Sequence, residues 1–156
     1  MRRVKLHRVV DAKFPEGAQF LEWSKWWGSH YNDALEWVAG QLLLNGIMCG
    51  QHTGRDVLTP IGEEASAPCA GRVTHAGSYP QHKGYGNFVS IEKAGEKEYT
   101  VVNVCHLSLV SVSVGDWVNV GDRIGATGAS GNVEGPHVHI DVWGPWPLPF
   151  DWIEEA

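Results

Sequence analysis

The sequence predicts a mainly β fold with an α-helical N-terminal segment. After Gly50, short runs that alternate apolar and polar residues lie between many of the 19 glycines, a pattern typical of antiparallel strands joined by tight turns. Before Gly50, apolar residues recur instead at helical spacing. We therefore expect an antiparallel β-sheet or sandwich, preceded by helical structure, in a chain whose 156 residues suffice for one domain.

The predicted helical segment covers residues 18–47. Its second half places apolar residues on one helix face: Leu35, Val38 and Leu42. Residues 33–36 resemble a capping box, because the Asp33 carboxylate can accept a hydrogen bond from the amide three residues further on. Gly46 fits a helix stop. The preceding stretch, 20–27, has apolar residues at the same spacing and predicts a first, shorter helix.

Four runs after Gly50 are predicted as strands: 71–74, 88–92, 99–109 and 137–143. Sequences rich in turn-forming residues separate them, such as Gly-Tyr-Gly-Asn at 84–87. The segment that follows, 144–149, contains three prolines and cannot pair as a central strand. We expect it to lie on the body as an extended tail.

We divide the chain into three parts. Residues 1–49 form a partly helical, Trp-rich extension packed on the body, residues 50–143 form the β-rich core, and residues 144–156 form a Pro/Trp-rich C-terminal tail. Most of the eight tryptophans fall into a group near the N-terminus and a group near the C-terminus. Because tryptophan buries a large area wherever it lies, we favour a core that links the chain ends over an aromatic wall beside a groove.

Composition and charge exclude several classes of function. The formal net charge is −6 and no block of basic residues follows Arg2 and Arg3, so we expect no nucleic-acid partner. No run of 18 apolar residues exists, so we expect no membrane span. The basic residues at the N-terminus are not followed by an apolar stretch, and the number of cysteines is odd. We therefore expect a protein without a secretory signal, made in a reducing cytoplasm with its cysteines free.

Two segments contain the residue types of a metal site. In the first, His52 and Asp56 are too far apart on an extended strand to share an ion easily, but a bend at Gly54 would bring them together. In the second, period-two geometry places His137 and His139 on one face of a strand. Imidazole and carboxylate are both good zinc ligands.

A third segment contains Cys105 and His106 in adjacent positions of a predicted strand. Strand alternation points the two side chains to opposite faces, so they do not form a nucleophile–base pair and a cysteine protease is not expected. Taken alone, His106 is typical of a core or surface histidine. Cys49 lies three residues before His52, a spacing also known for zinc ligands, and is the alternative to Asp56, which fits better.

These segments, together with the glycine-containing motifs between them, resemble the lysostaphin/LytM-type zinc metallopeptidases, a family of peptidoglycan endopeptidases. The likeness extends over about residues 50–143. It rests on the order of five motifs along the chain: Gly54–Val57, Ala67–Val73, Gly84–Val89, Val114–Gly125 and Gly128–His139.

The resemblance implies a fold of the duplicated hybrid motif type and a role for each histidine. His52, Asp56 and His139 would bind one zinc ion per chain, while His106 and His137 would act on the bound water and on the developing oxyanion. The implied reaction is attack of metal-bound hydroxide on an amide in the peptide cross-links of bacterial peptidoglycan. Two neutral imidazoles and one carboxylate agree with that chemistry, since they leave the site positively charged with an open position.

Two other readings share part of the pattern. The stretch 114–128 also resembles biotinyl or lipoyl carriers and phosphohistidine domains of the related hybrid fold. A carrier needs an exposed lysine on a hairpin, but no lysine follows Lys97, and a phosphohistidine domain leaves His52 and Asp56 unexplained. An inactive wall-binding relative is the third reading, although inactive relatives usually lack ligands.

The setting follows from the same features. A monomer that carries no secretory signal yet acts on the cell wall resembles a phage lysin, either an endolysin released at lysis or a component delivered with the virion. The acidic net charge provides no electrostatic capture by anionic wall polymers, so binding would depend on the groove itself.

Overall fold

The computed structural model describes residues 1–131 and 133–154. Regular structure in this part of the chain is almost entirely β. The strands, in chain order, are β1 (Val4–Leu6), β2 (Trp23–Ser24), β3 (Ser29–Tyr31), β4 (Trp37–Ala39), β5 (Leu42–Leu44), β6 (Ile47–Gln51), β7 (Gly54–Val57), β8 (Glu64–Ser66), β9 (Gly71–Gly77), β10 (Asn87–Lys93), β11 (Val101–Val110), β12 (Trp117–Val118), β13 (Arg123–Thr127), β14 (Val138–Trp143), β15 (Pro147–Leu148) and β16 (Phe150–Trp152). A 3-10 helix covers Pro80–Tyr85.

The largest sheet has nine strands and is organised around β11 and β14. One path runs β12-β9-β10-β11-β13-β8, and β14 joins it by pairing with β11. On its other side β14 pairs antiparallel with β7, and β15 adds a short strand to its end. Within β11, residues 101–105 pair with β14 and residues 107–110 pair with β13. On the side of β11 away from β10, the neighbouring strand therefore changes from β14 to β13 at residue 106.

The two faces of β14 differ in chemistry, although both are buried. Val138, Ile140 and Val142 are fully buried in the apolar core, where each contributes about 1.5–3 kcal/mol. The alternate residues His139 and Asp141 are also buried, 5% and 0% exposed. Because successive side chains of a strand point to opposite faces, the sheet separates an apolar layer from a buried polar layer.

The two ends of the chain meet on the core. Strand β1 pairs in parallel with β16, which brings Val4 opposite Phe150, and both side chains are buried. The Arg3 guanidinium donates two hydrogen bonds to the Asp151 carboxylate, at 2.9 and 2.8 Å.

Within the described residues, no helix has the length and the apolar composition that a membrane span requires.

The predicted α-helical N-terminal segment is wrong. Residues 18–47 contain the short strands β2 to β5 and the start of β6. Asn45 and Gly46 have φ values of +49° and +81°, and they form the turn of the β5–β6 hairpin rather than a helix stop. The residues taken for a capping box form the turn between β3 and β4. There the Asn32 side-chain oxygen accepts hydrogen bonds from the amides of Ala34 and Glu36.

The helix prediction failed because contacts between residues distant in the chain, which helical spacing does not reveal, determine this fold. The Tyr31 and Trp37 rings meet edge-on across the β3–β4 hairpin, with centroids 5.0 Å apart, and Trp37 also contacts Trp143 of β14. The Tyr31 hydroxyl donates to the carbonyl of Pro147. Large aromatic side chains favour strands, where cross-strand pairs stabilise them, and here they attach the extension to the sheet.

Candidate active site

Three of the predicted site residues converge on one point. Asp56 of β7 and His139 of β14 lie directly opposite each other in register, and His52 precedes β7 by two residues. Nδ1 of His139 lies 3.0 Å from Nε2 of His52 and 2.9 Å from Oδ1 of Asp56. The third separation, between His52 Nε2 and Asp56 Oδ1, is 3.3 Å. These three atoms form the donor triangle.

The donor triangle has the dimensions of a zinc site. Zinc bonds to nitrogen and carboxylate oxygen of about 2.0–2.1 Å give a tetrahedron with edges of about 3.3–3.4 Å. The triangle's edges are this long or slightly shorter, so an ion would need to spread the donors by only a few tenths of an ångström. The candidate ligand Cys49 is buried in β6 and does not belong to this cluster of metal-binding groups, as far as the described residues show.

The extension holds His52 in place. The His52 Nδ1–H donates to the carbonyl of Gln19 at 3.2 Å, which leaves Nε2 for the triangle. The Trp27 ring stacks on the imidazole with centroids 4.5 Å apart and 28° between the planes. Backbone hydrogen bonds of 2.9 Å join the amide of His52 to Glu22 and its carbonyl to Leu21. Residues before position 50 therefore build part of the site.

Gly54 is needed for a different reason from the predicted one. The chain bends at Thr53, while Gly54 itself begins β7 opposite Asp141. A Cβ atom at position 54 would overlap with the carbonyl oxygen of Ile140 and press on the Asp141 side chain. The missing side chain lets β7 approach β14 closely, and this close approach brings Asp56 to His139.

His106 occupies an irregular point of β11. Cys105 and His106 together oppose the single residue Phe88 of β10, so the strand bulges where it leaves β14 for β13. The backbone φ of His106 is +67°, a value that residues other than glycine rarely adopt. The bulge aims His106 into the cleft beside the donor triangle, while Cys105 stays fully buried. Simple strand alternation could not predict this distortion.

His137 lies beside His106, with ring centroids 4.7 Å apart. Its Nδ1–H donates to the carbonyl of Gly135 at 3.0 Å, and its Nε2 lies 3.7 Å from Oδ2 of Asp56. His106 is held in the same way, because its Nδ1–H donates to the carbonyl of Ser130 at 2.8 Å. Both imidazoles therefore present Nε2 for chemistry.

The titrating groups are strongly coupled when no metal is bound. Burial alone would lower the pKa of His139, but its hydrogen bonds to Asp141 and Asp56 outweigh burial and raise the pKa to about 10. Burial would raise the pKa of Asp56, yet hydrogen bonds from His139 and His52 hold it well below its usual range. Burial and the charges of His139 and His137 lower the pKa of His106 to about 4. His106 is therefore a neutral imidazole at neutral pH.

A cleft of about 790 Å³ opens above the donor triangle. Its lining includes three tryptophans of the extension, Trp23, Trp26 and Trp27, as well as Tyr85 and residues 133–136. The fourth tryptophan of the extension, Trp37, links the extension to the core instead. Both interpretations of the tryptophans thus hold in part, because three line the cleft while Trp37 packs against Trp143 and Trp152 packs against the core.

Sequence reasoning missed one group of polar residues at the site. Asp141 is fully buried and its Oδ2 lies 2.8 Å from Nε2 of His139. Tyr85 and Asn103 also donate to this carboxylate. The sequence did contain a signal for Asp141, because it follows His139 by two residues on a strand and must lie on the same face.

Comparisons with known proteins agree with this geometry. The model of Peptidase family M23 matches residues 50–146. Lysostaphin of Staphylococcus simulans is 31% identical over 119 residues, which cover 76% of this chain and 23% of that protein. Peptidoglycan DD-endopeptidase ShyA of Vibrio cholerae is 33% identical over 91 residues, 58% of this chain and 20% of that protein. The chain thus spans about a fifth to a quarter of the length of these curated relatives.

Among solved structures, the fold is similar to the catalytic domain of the antimicrobial peptidase lysostaphin from Staphylococcus simulans. The TM-score is 0.60 and the sequence identity 26%, over 84% of this chain and 80% of that domain. The similarity extends beyond residues 50–146 because the superposed region covers more of the chain than the family model does.

Proposed function

Because the chain belongs to Peptidase family M23, whose members are zinc metallopeptidases, we propose that it hydrolyses peptide cross-links of bacterial peptidoglycan as a zinc-dependent endopeptidase. The observation that carries the proposal is the donor triangle at the base of an open cleft, formed by Nε2 of His52, Oδ1 of Asp56 and Nδ1 of His139. Family membership favours this function over a carrier or a phosphohistidine domain.

The three donors suit a catalytic rather than a structural metal. Zinc bound there would act as a Lewis acid and lower the pKa of a coordinated water. Three protein ligands leave a fourth position open, whereas structural zinc sites are closed by four. The two imidazoles and one carboxylate leave the site with a formal charge of about +1, which favours negative charge on the incoming oxygen.

In the proposed mechanism, His106 transfers the proton of the attacking water and His137 stabilises the oxyanion. A neutral His106 accepts the proton of the attacking water as the new C–O bond forms at the scissile carbonyl. The proton then passes to the amide nitrogen as the C–N bond breaks, so that the products are a carboxylic acid and an amine. Donation from the neighbouring Nε2 of His137 to the developing oxyanion requires an imidazolium, because the Nδ1–H of this ring already donates to Gly135. These roles rest on the backbone hydrogen bonds that turn both Nε2 atoms away from the main chain.

The substrate class is supported by the relatives. ShyA is named as a peptidoglycan DD-endopeptidase and lysostaphin as an antimicrobial peptidase. We extend this substrate to the present chain, and we further propose a phage-type lysin that works as a monomer on the cell wall. Such a lysin should lyse host cells when it is added from outside, at a rate proportional to the protein concentration.

Mass spectrometry of digested peptidoglycan tests the proposal. Zinc-loaded protein is incubated with purified peptidoglycans of different cross-link types, and the released fragments are identified. We expect one new amine and one new carboxylate per cut, within the peptide and not within the glycan. Chelator-treated protein and the His106→Ala variant serve as controls. Glycan cleavage, or no release from any peptidoglycan by zinc-loaded protein, would refute the proposed function.

A further inference from the structure

The buried carboxylate of Asp141 has four side-chain hydrogen-bond partners beside the site. It is 0% exposed and accepts hydrogen bonds on both oxygens. Oδ2 receives the Nε2–H of His139 at 2.8 Å, the hydroxyl of Tyr85 at 2.6 Å and the hydroxyl of Thr53 at 3.2 Å. Oδ1 receives the Nδ2–H of Asn103 at 2.8 Å. A buried charge is tolerated only with such partners, so this carboxylate is not an accident of packing.

Asp141 is the first of three polar residues that form a row across the sheet. Asp141 lies opposite Asn103 of β11, and Asn103 lies opposite Ser90 of β10. The Ser90 hydroxyl donates to the side-chain oxygen of Asn103 at 2.6 Å. This contact fixes the orientation of the Asn103 amide, because its oxygen faces Ser90 and its nitrogen must face Asp141. The row therefore presents only donors to the Asp141 carboxylate.

From this arrangement we propose that Asp141 is a positioning residue for the metal ligand His139. An imidazole that donates through Nε2–H to a fixed carboxylate carries its lone pair on Nδ1 when neutral. Nδ1 is the atom that faces His52 and Asp56. Asp141 thus selects the tautomer and the ring orientation that a cation between the three donors requires. The inference rests on the proposed function, since it presumes a metal at the donor triangle.

The Asp141→Asn variant tests the inference with almost no change of volume. An amide would present a donor either to Asn103 or to His139, each of which already donates. We expect zinc affinity, measured by competition with a chromophoric chelator, to fall roughly 10–100-fold. Zinc binding is measured without substrate, so the readout does not depend on peptidase activity.

A matched variant separates positioning from general destabilisation. Thr127 is also fully buried and its hydroxyl donates to the carbonyl of Pro60 at 2.8 Å, outside the Asp141 row. The same hydroxyl accepts from the amide of Glu63, so Thr127→Val removes two hydrogen bonds without touching His139. We expect it to lower the melting temperature of the zinc-free protein and to leave zinc affinity unchanged. Equal losses of zinc affinity in Thr127→Val and Asp141→Asn would overturn the inference.

A second variant covers the case in which Asp141→Asn does not fold. Tyr85→Phe keeps the ring and removes one donor to the carboxylate, so zinc affinity should fall about 2–10-fold. The inference would be contradicted if a folded Asp141→Asn protein bound zinc with wild-type affinity. If that variant does not fold, wild-type zinc affinity in Tyr85→Phe would contradict it. Either result would leave the proposed function intact. Absence of zinc binding by the unaltered protein would instead contradict the proposed function.

Discussion

The extension and the core each hold one of the two histidines proposed to bind the metal, but they do so by different means. In the core, His139 is held by the buried Asp141 carboxylate and lies opposite Asp56 in a regular ladder. His52 follows the extension and is held by it, through the main-chain carbonyl of Gln19 and the face of Trp27. One ligand is positioned by a charged hydrogen bond, and the other by a neutral hydrogen bond and stacking. The site should therefore be more sensitive to changes in the core than in the extension.

The largest effect is expected at the core ligand itself. His139→Ala removes one corner of the donor triangle and leaves Asp141 and Asp56 without their shared partner. We expect zinc content to fall from about one ion per chain to background, with loss of wall-degrading activity. Metal analysis of the purified variant measures this directly, and unchanged zinc content would remove His139 from the ligand set.

The next effect separates binding of the metal from use of it. His106→Ala leaves the donor triangle intact, so zinc content should match that of the unaltered protein. Loss of a group that transfers a proton should reduce the rate of wall lysis roughly 10²–10⁴-fold. A turbidity assay on cell walls gives the rate, with metal analysis on the same sample. Full lytic activity in the variant would exclude His106 from the mechanism.

Two glycines provide a matched test of how closely each region is packed. Gly54→Ala places a Cβ against the carbonyl of Ile140 in the core and should cost about 1–3 kcal/mol or more in the free energy of unfolding. Gly28→Ala in the extension meets nothing within 4 Å and should change that free energy by less than about 0.5 kcal/mol. Chemical denaturation measures both. Similar values for the two would show that close approach of β7 and β14 is not required.

The zinc-free protein should lose stability as pH rises from 7 to 8.5. The pKa of His139 is raised from its ordinary value of 6.5 to about 10, so the folded state keeps a proton that the unfolded state releases. Its stabilising effect is complete below about pH 6.5 and disappears as pH passes through 10, with a slope of at most about 1.4 kcal/mol per pH unit. Denaturation of chelator-treated protein should show this slope, and zinc-free His139→Ala should lack it.

The smallest effect is expected in the extension. Trp27→Ala removes the stacked ring from His52 and should weaken zinc binding by up to about tenfold, since aromatic contacts of this kind contribute about 0.5–1.5 kcal/mol. Trp26→Ala is the control, because Trp26 is 59% exposed and lines the cleft. It should leave zinc affinity unchanged. A loss of zinc affinity in Trp27→Ala as large as in Asp141→Asn would contradict the contrast between the two regions.

Much of the site was predictable from the sequence, because residue types and spacing indicated candidates and the resemblance to a known family implied their roles. The five residues His52, Asp56, His106, His137 and His139 were identified from the sequence, and the structure places all five around one cleft. The β-rich character after Gly50 was predicted correctly for the same reason, since alternation and glycine turns are local signals. Asp141 was not identified, although alternation places it on the face of His139, and its proposed role depends on the buried Asn103 and Ser90 of β11 and β10.

The fold of the extension could not be predicted in this way. Leu35 matched a helix face, yet its φ of +59° places it in a turn, and Asn45-Gly46 closes a hairpin. Local spacing is a weak signal when the apolar residues are held by partners distant in the chain, as Trp37 is by Trp143.

The sequence by itself determined the chemistry, because the kinds of side chain and their order along the chain specify which donors and proton carriers are available. Only the tertiary structure decided how these groups are aimed. The bulge at His106, the close approach at Gly54 and the buried row behind His139 all arise from pairing between strands far apart in the sequence. Such pairing is a property of the folded sheet and leaves no periodic trace in any single segment.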